Sequence, residues 1–467
     1  MLILVPLLGV LGLIVGMALA VAAGSPHVSA IMVAAVCAVI VGIIAKAMAS
    51  DQDRSWLPTL IMAGFTAKLV GAWARWWILV DYYGGSGDAS GYYGKAIDFV
   101  HQWRAFSPPP MSIGTEAMEG LGGLVFFPYV PNFLGGFFLY ATLSFFGQMF
   151  LYAAFRTSVV PRRLKLYAAA IFFVPNLVYW PSSIGKEAIM MLGIGMAAYG
   201  ISKLLNEASS RALLPIAGGL FIAGIIRPHV SAMLCVGATV ALLAAKKGTG
   251  VGAFPAKRLM LLGFVGAGLA VMMFVAASKF NLDIEDGLDT EQVDTFLEGV
   301  EDQTAKGGSE VDGGFISSPA EFPEATIRVL FRPLPNEAHN PPALASAFEG
   351  LALLLLTIWK LPAMLRRGFR LRRDPYLIFC VVFTIAFVIA FSSFLNLGLM
   401  ARERAQVMPF LLAMIVALGF GPPPVDEEEE DQVAPEPDER IPGIEDLLVG
   451  SGVGRPGGGV DYSRIGS

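Results

Sequence analysis

Apolar residues run through this chain in long blocks, not in the short alternating or one-in-three patterns of soluble strands and helices. Twelve blocks approach the roughly 20 residues that an α-helix needs to cross a bilayer core of about 30 Å. They are 2–23, 28–48, 56–80, 133–154, 166–181, 184–204, 212–227, 229–245, 259–278, 344–364, 376–397 and 405–421; the fifth, seventh and eighth are the short ones. The pattern predicts an all-α integral membrane protein of about 12 transmembrane helices over residues 1–421. The first block ends in a small-residue stretch from Ala18 to Gly24 that looks like a signal-peptidase site, but no basic segment precedes it, so it reads as a retained span.

Lys and Arg collect in alternate loops. Arg156, Arg162, Arg163 and Lys165 form one cluster, and Lys203 with Arg211 a second. Lys246, Lys247, Lys257 and Arg258 form a third, and Arg366, Arg367, Arg370, Arg372 and Arg373 a fourth. Short cytoplasmic loops hold such an excess, so both termini are expected inside and two long polar segments, 81–132 and 279–343, outside. In the second, Asp289-Thr-Glu-Gln precedes Val293, Phe296, Leu297 and Val300 at helical spacing, which predicts an amphipathic helix on the membrane surface. A further short helix is expected from Ser318-Pro-Ala-Glu321 to just before Pro333. The acids Asp283, Glu285, Asp286 and Asp289 miss the spacing of a calcium loop and read as a solvated acidic stretch.

Composition agrees: 55% of residues are hydrophobic and 15% charged, with mean hydropathy +0.63, against about 25% charged in soluble domains. Soluble enzymes, DNA-binding proteins and disulfide scaffolds are thereby excluded. The formal charge of −5 joins two opposed parts. Twelve acids and only three arginines follow Phe420, so the membrane body is mildly basic and residues 422–467 form an acidic tail. That tail, with its proline run, the acids from Asp426 to Asp431 and a glycine-rich end, lacks the apolar content to fold alone and is expected to be disordered and cytoplasmic. Its stretch from Ile441 to Val449 offers a cytoplasmic partner a place to dock, but a passive disordered tail is the reading that fits better. Cys37, Cys235 and Cys380 each sit in an apolar run and behave as small hydrophobes.

The unusual polar residues fall at the outer ends of the predicted spans. Lys68 lies near the middle of the third, with Arg75 seven residues later on the same helical face. A charge at such depth usually faces a cavity or a partner, whereas Arg75 can snorkel to the interface beside Trp76 and Trp77. Next comes Asp81-Tyr-Tyr-Gly-Gly-Ser-Gly-Asp88-Ala-Ser-Gly-Tyr92-Tyr93, where glycines let the backbone bend and a carboxylate sits among aromatics. Such a group can grip a sugar and take a hydroxyl proton; a surface turn fits the same residues. Pro181-Ser-Ser-Ile-Gly-Lys186-Glu187 opens the sixth span, where a capped helix N-terminus and Lys186 suit an anion, unless Glu187 simply neutralises Lys186. Ser183-x-x-Lys186 matches a β-lactamase motif by chance, because the companion motifs are absent.

Arg227-Pro228-His229 joins the seventh and eighth spans almost without a loop, which suits either a phosphate fork or an interface charge at a helix break. Phe331-Arg332-Pro-Leu-Pro-Asn-Glu337-Ala-His339-Asn340 carries a cation, an acid and an imidazole within eight residues. Arg402-Glu403-Arg404 runs against the positive-inside bias, and a local ion pair to Glu403 accounts for only one of its arginines. The glycines Gly195 with Gly200, and Gly263 with Gly268, are suited to close helix packing.

Asp88-Ala89-x-x-Tyr92 resembles the acidic motif of GT-C glycosyltransferases, multi-span enzymes that take sugars from polyprenyl-phosphate donors, and the resemblance implies that Asp88 is a catalytic base. His339-Asn340 with Glu349-Gly350 loosely resembles the histidine motif of O-antigen polymerases and ligases. Phe331 to Glu337, Glu349 and Arg402 to Pro409 together look like bacterial multi-span proteins of envelope polysaccharide synthesis. These resemblances imply a glycosyltransferase or polymerase of the bacterial plasma membrane, acting on its outer face in envelope or exopolysaccharide synthesis. Asp88, Glu337 and His339 would be catalytic. Lys68, Tyr92, Tyr93, Lys186, Arg227, Arg332, Arg402 and Arg404 would hold the substrate or its lipid phosphate. The expected partners are a polyprenyl-linked sugar donor, a glycan acceptor and membrane lipids, with no nucleic acid. Neither a nucleotide-binding loop nor a metal-ligand cluster stands in the sequence, so no cofactor or metal is expected. Two competing functions remain: a transporter or flippase, which calls for midplane polar residues and an internal repeat, and a non-catalytic scaffold working through the tail.

Overall fold

The computed structural model describes residues 26–50, 53–107, 112–157, 163–207, 210–244, 263, 266, 314–316, 318–338, 340–368 and 374–420. The predicted spans at 2–23 and, apart from two residues, 259–278, the surface helix from Asp289, His339 and the acidic tail lie outside them. The regular elements among the described residues are helices: α1 (Pro26–Met48), α2 (Leu57–Trp77), α3 (Asp88–Arg104), α4 (Thr115–Phe126), α5 (Phe133–Arg156), α6 (Leu164–Phe173), α7 (Pro175–Tyr179), α8 (Lys186–Glu207), α9 (Leu213–Ile226), α10 (Pro228–Ala244), α11 (Phe322–Phe331), α12 (Pro341–Arg367), α13 (Pro375–Phe391), α14 (Leu397–Glu403) and α15 (Met408–Met414).

Five of the described helices are long and apolar enough to cross a membrane, or six if the pair Leu397–Gln406 and Met408–Phe420, bent by 60°, counts as one span. Leu164–Phe173, Ser210–Ile226, Pro228–Ala244 and Pro375–Phe391 are apolar but shorter. On α12 the large apolar side chains Leu355, Ile358, Trp359 and Leu365 are exposed. Such residues face outward when the surrounding solvent is lipid, and the chain is a membrane protein on that evidence.

Helix starts follow from side-chain caps. Asn132 Oδ1 accepts the Gly135 N–H at 2.9 Å, Asn340 Oδ1 the Ala343 N–H at 2.9 Å, and Asn396 Oδ1 the Leu399 N–H at 2.9 Å. Asp374 takes the N–H groups of Tyr376 and Leu377 at 3.1 and 3.3 Å. Each satisfies donors that the helix itself leaves free. The short helix expected after Ser318 is a 3-10 turn, Pro319–Glu321, running into α11. The segment 81–132, where no helix is predicted, folds into α3 and α4, which pack through Gly122 against Ala96 and through Gly123 against Phe99. Its many glycines hide the helical period.

The predicted span at 166–181 is not continuous. It breaks into α6, α7 and a 3-10 turn, Trp180–Ser182, because Pro175 and Pro181 have no N–H to offer the preceding turn. Pro181 deprives the Leu177 carbonyl of its helical donor. Lys68 Nζ at 2.6 Å and Gln148 Nε2 at 3.1 Å replace it, both from other helices. Lys68 is fully buried there, so the charge placed at mid-span by the sequence serves a carbonyl released by the break.

The α5, α8 and α9 helices form the centre of the body through small residues. A Cβ at Gly147 would strike the Met191 carbonyl, one at Gly195 the Gly147 carbonyl, and one at Gly219 the Gly193 carbonyl. Gly200 meets Ile216 and the Ala212 carbonyl, whereas nothing among the described residues lies near Gly263. Because the obstacles on α5 and α8 are backbone atoms, they cannot rotate away. Gly195→Ala should therefore cost about 1–3 kcal/mol and lower the melting temperature of the detergent-solubilised chain. Gly91→Ala, in a helix with open space at its Cβ, should leave melting unchanged or raise it.

Candidate functional site

The broken helix sets one wall of a cavity of about 300 Å³, bounded by the outgoing end of α2, the start of α3, the α7–α8 connection and α14. The chain reaches it from α2 through a loop in which Gly84 and Gly85 have φ of +60° and +78°, a conformation that glycine adopts without a Cβ clash. Ser90 Oγ ties the loop back by donating to the Gly85 carbonyl at 2.7 Å. This turn delivers Asp88 as the first residue of α3, at the cavity mouth, with 64% of its side chain exposed. One helical turn on, Tyr92 is buried in the cavity wall. Burial first, and then the charges of Asp88 and Glu187, push its phenol up to about 12, so it keeps its proton and acts as a donor at neutral pH.

Arg402 spans the cavity. Its Nη1 donates to Asp88 Oδ2 at 3.3 Å and its Nε to Glu187 Oε1 at 2.8 Å. Glu187, in the first turn of α8 and only 3% exposed, also accepts from Arg227 Nη2 at 3.3 Å. Arg227 is forked in turn onto Glu403, with Nη2 at 2.5 Å from Oε1 and Nη1 on Oε2, and Gln406 Nε2 caps the same carboxylate. Charges thus alternate from Asp88 through Arg402, Glu187 and Arg227 to Glu403. Each buried ion meets one of opposite sign, as a low-dielectric site requires. Gly185 is part of this arrangement, since a Cβ there would come within 3.1 Å of Glu187 Oε2.

Arg75 was the charge the sequence sent to the interface, and the structure turns it inward. Its guanidinium lies over Tyr179 and Trp180, 5.0 and 4.8 Å from the ring centroids, and Nη2 donates to Ser183 Oγ at 3.3 Å. Its Nε is buried and has no hydrogen-bond partner among the described residues, and no carboxylate forms an ion pair with it there. Arg402 is bound by two carboxylates, one of them shared with Arg227, whereas Arg75 is paired directly with no carboxylate among the described residues. The cavity therefore offers an exposed carboxylate, a phenolic donor, an available guanidinium and two flat aromatic faces, which together suit a polar ring joined to an anion.

Of the residues singled out in the sequence, Asp88, Tyr92 and Arg402 line this cavity, and Arg227 reaches it through Glu187. Lys68, Tyr93, Lys186, Arg332, Glu337 and Arg404 do not line it, and His339 lies outside the described residues. Lys186 donates to Thr115 Oγ1 at 2.9 Å, and Glu187 turns away from it to the arginines. Tyr93 donates to the Pro131 carbonyl at 2.9 Å and packs on Phe126 and Phe133. Arg332 and Glu337 bind each other, with Nε at 2.8 Å from Oε1, and the Leu334 N–H adds a bond to Glu337 Oε2 at 2.7 Å. Burial raises that carboxyl, but these donors outweigh it and hold Glu337 below the usual carboxylate range. Arg404, fully buried, donates to the carbonyls of Leu330 at 3.2 Å, Arg332 at 3.4 Å and Ser346 at 3.5 Å. The local pair expected for Glu403 is replaced by Arg227, because residues 402, 403 and 404 point to different sides of one turn. Among the described residues no three His, Cys, Asp or Glu side chains converge as a metal-ligand set.

Arg75, Ser183, Glu187, Tyr179 and Trp180 are the cavity residues that the sequence left in other roles. The signal for Arg75 was present in its seven-residue spacing from Lys68: both reach the same broken segment, at Leu177 and at Tyr179 to Ser183.

Removing the carboxylate between two buried arginines should be costly: Glu187→Gln is expected to lose about 3–5 kcal/mol of stability, read as a lowered melting temperature. A second expectation concerns Tyr92. In alkaline absorbance titration, the difference between wild type and Tyr92→Phe should have its midpoint near 12, not at the ordinary 10.0. The unfolded chain releases that proton first, so Tyr92 should stop supporting the fold as pH rises from 10.0 towards 12.

Compared with known protein families, with curated proteins and with solved structures, the chain matches none, and the chemistry of the cavity alone carries its reading.

Proposed function

We propose that this chain is a membrane glycosyltransferase or polysaccharide polymerase that uses a polyprenyl-phosphate- or pyrophosphate-linked sugar. In this reading it sits in a bacterial plasma membrane as a body of about twelve spans, with both termini inside and the cavity at the outer face. The observation that carries the proposal is a cavity lined both by exposed Asp88 and by Arg75, a guanidinium with no carboxylate partner among the described residues. Transfer of a sugar from a lipid phosphate needs a base for the incoming hydroxyl and a fixed positive charge where the leaving oxygen becomes negative.

Asp88 accepts the proton of the acceptor hydroxyl as that oxygen bonds to the anomeric carbon. The bond from the anomeric carbon to the phosphate oxygen breaks, and the electron pair leaves with the lipid phosphate. Arg75 meets that phosphate, and the Tyr92 hydroxyl is a further donor. Arg402, already held by Glu187, orients Asp88 and is a positioning residue. Arg227 acts one step further back, through Glu187.

A transporter is the second reading. It is favoured by one observation: the α6–α7 break and the bent α14–α15 pair both contribute to this end of the body, as discontinuous helices do at transporter sites.

Native mass spectrometry of the gently purified full chain, supplied with polyprenyl phosphate, tests the donor class. Binding by wild type and its loss in Arg75→Ala are expected. Asp88→Asn should keep the lipid and lower transfer from a labelled lipid-linked sugar by about 100-fold or more. Retention of bulk phospholipid only, or transfer by Asp88→Asn at the wild-type rate, would overturn the glycosyltransferase. Movement of the lipid across proteoliposomes without transfer would establish the transporter.

A further inference from the structure

The α5 helix leads from the main cavity to the opposite end of the body. Phe137, near its start, lines that cavity, and Arg156, at its end, lies about 28 Å further along the helix. A separate cavity of about 340 Å³ opens at the far end. Phe146 and Ala153 of α5 form its floor, with Ile44 and Met48 of α1 on one side and Leu192 and Tyr199 of α8 on the other; α5 packs against both neighbours. The apolar stripe on α1 continues beyond the cavity, since Ile40, one turn before Ile44, is 40% exposed. From Phe146 to Arg156 the cavity follows about 15 Å of helix, half of a hydrocarbon core about 30 Å thick.

The polar side chains of the lining are Arg156 and Tyr199. Arg156 Nη1 is committed to the Met48 carbonyl at 2.6 Å and to Asp53 Oδ2 at 3.2 Å. Asp53 is 2% exposed, does not line the cavity, and also accepts from Ser50 and Tyr152. Arg156 Nε and Nη2 bond to none of the described residues, and neither is buried. The Tyr199 hydroxyl is in the same condition. One turn on, the Lys203 ammonium lies 5.8 Å from the Tyr199 ring centroid. Water or a free phosphate would satisfy these donors and leave the apolar walls uncovered, whereas a hydrocarbon chain alone would do the reverse. A phospholipid does both, because its chains meet its phosphodiester at the depth where this furrow ends in a guanidinium. The charge selects among phospholipids. Arg156 and Lys203 belong to basic clusters that the positive-inside pattern sends to the cytoplasmic side, where anionic lipids gather. A choline headgroup would also set its own cation against Lys203, and a phosphatidylglycerol headgroup brings none.

We propose that this cavity binds an anionic phospholipid of the inner leaflet, with one acyl chain along α5 between α1 and α8 and the phosphate accepting from Arg156 Nε and Nη2 and from the Tyr199 hydroxyl. The site is a membrane span away from the main cavity and does not depend on the sugar chemistry proposed there.

Native mass spectrometry of the delipidated full chain, supplied in turn with dioleoyl phosphatidylglycerol and dioleoyl phosphatidylcholine, tests it. Wild type should retain phosphatidylglycerol about fivefold more tightly or better. Arg156→Gln should weaken that lipid about tenfold and Tyr199→Phe about threefold. Ile44→Trp, which fills the furrow from a half-buried position, should abolish binding. Arg366→Gln removes an exposed cation at the same end of the body but outside the cavity, and it should change nothing. Melting curves establish folding; if Arg156→Gln is unfolded because Asp53 has lost its cation, Tyr199→Phe and Ile44→Trp decide. Equal retention of the two lipids by wild type, undiminished phosphatidylglycerol binding by the folded cavity variants, or an equal loss in Arg366→Gln would overturn the site.

Discussion

A carbonyl in apolar surroundings must find a donor, and this site exists because the chain breaks that rule at Pro181 and then repairs it. An unsatisfied buried carbonyl costs about 1–3 kcal/mol, which a membrane protein has no water to relieve. Lys68 and Gln148 supply the Leu177 carbonyl from α2 and α5, Ser182 Oγ supplies Val178, and Asn176 is anchored to Ala401. The repair pins the break against three other elements. It also turns Tyr179, Trp180 and Ser183 to face Arg75, and it starts α8 where Glu187 meets Arg402. The close approach of α2 is part of this arrangement, since a Cβ at Gly71 would lie within 2.6 Å of the Val178 carbonyl.

Electrostatics then sorts the arginines by what each can reach. Arg402 and Arg404 are two residues apart and share one short helical turn, yet they serve opposite purposes. Arg402 bridges the carboxylates of Glu187 and Asp88 at the cavity, whereas Arg404 is sunk among the carbonyls of Leu330, Arg332 and Ser346 and ties the ends of α11 and α12 together. Gly350 permits that tie: a Cβ there would strike the Phe331 carbonyl and lie 3.2 Å from Arg404 Nη1. The chain of alternating charges from Asp88 to Glu403 is rigid at its buried end and open at Asp88, whose exposure leaves it the member of the chain that solvent reaches most readily.

The helical class and most of the described helices were legible in the apolar blocks, because a bilayer imposes length and composition on each span separately. The pairing of Lys68 with Arg75 on one face, and of Asp88 with Tyr92 one turn apart, was legible for the same local reason: helical geometry relates residues seven or four apart. The α3–α4 pair was not, since glycine-rich helices of mixed polarity carry no clear period. The breaks at Pro175 and Pro181 were marked by proline, but an uninterrupted apolar run masked them.

The sequence by itself determined a membrane protein built of apolar helices, with its unusual charges gathered where those blocks end, because hydropathy and helical period act over one turn or one span. Only the tertiary structure decided which charge answers which. Asp88 and Arg402 are 314 residues apart, and Glu187 and Arg402 are 215 apart. Periodicity assigns a side chain to a face of its own helix, but what stands opposite that face depends on how distant helices pack. That packing made Arg404 and Lys68 partners of backbone carbonyls and left Arg75 open to a ligand.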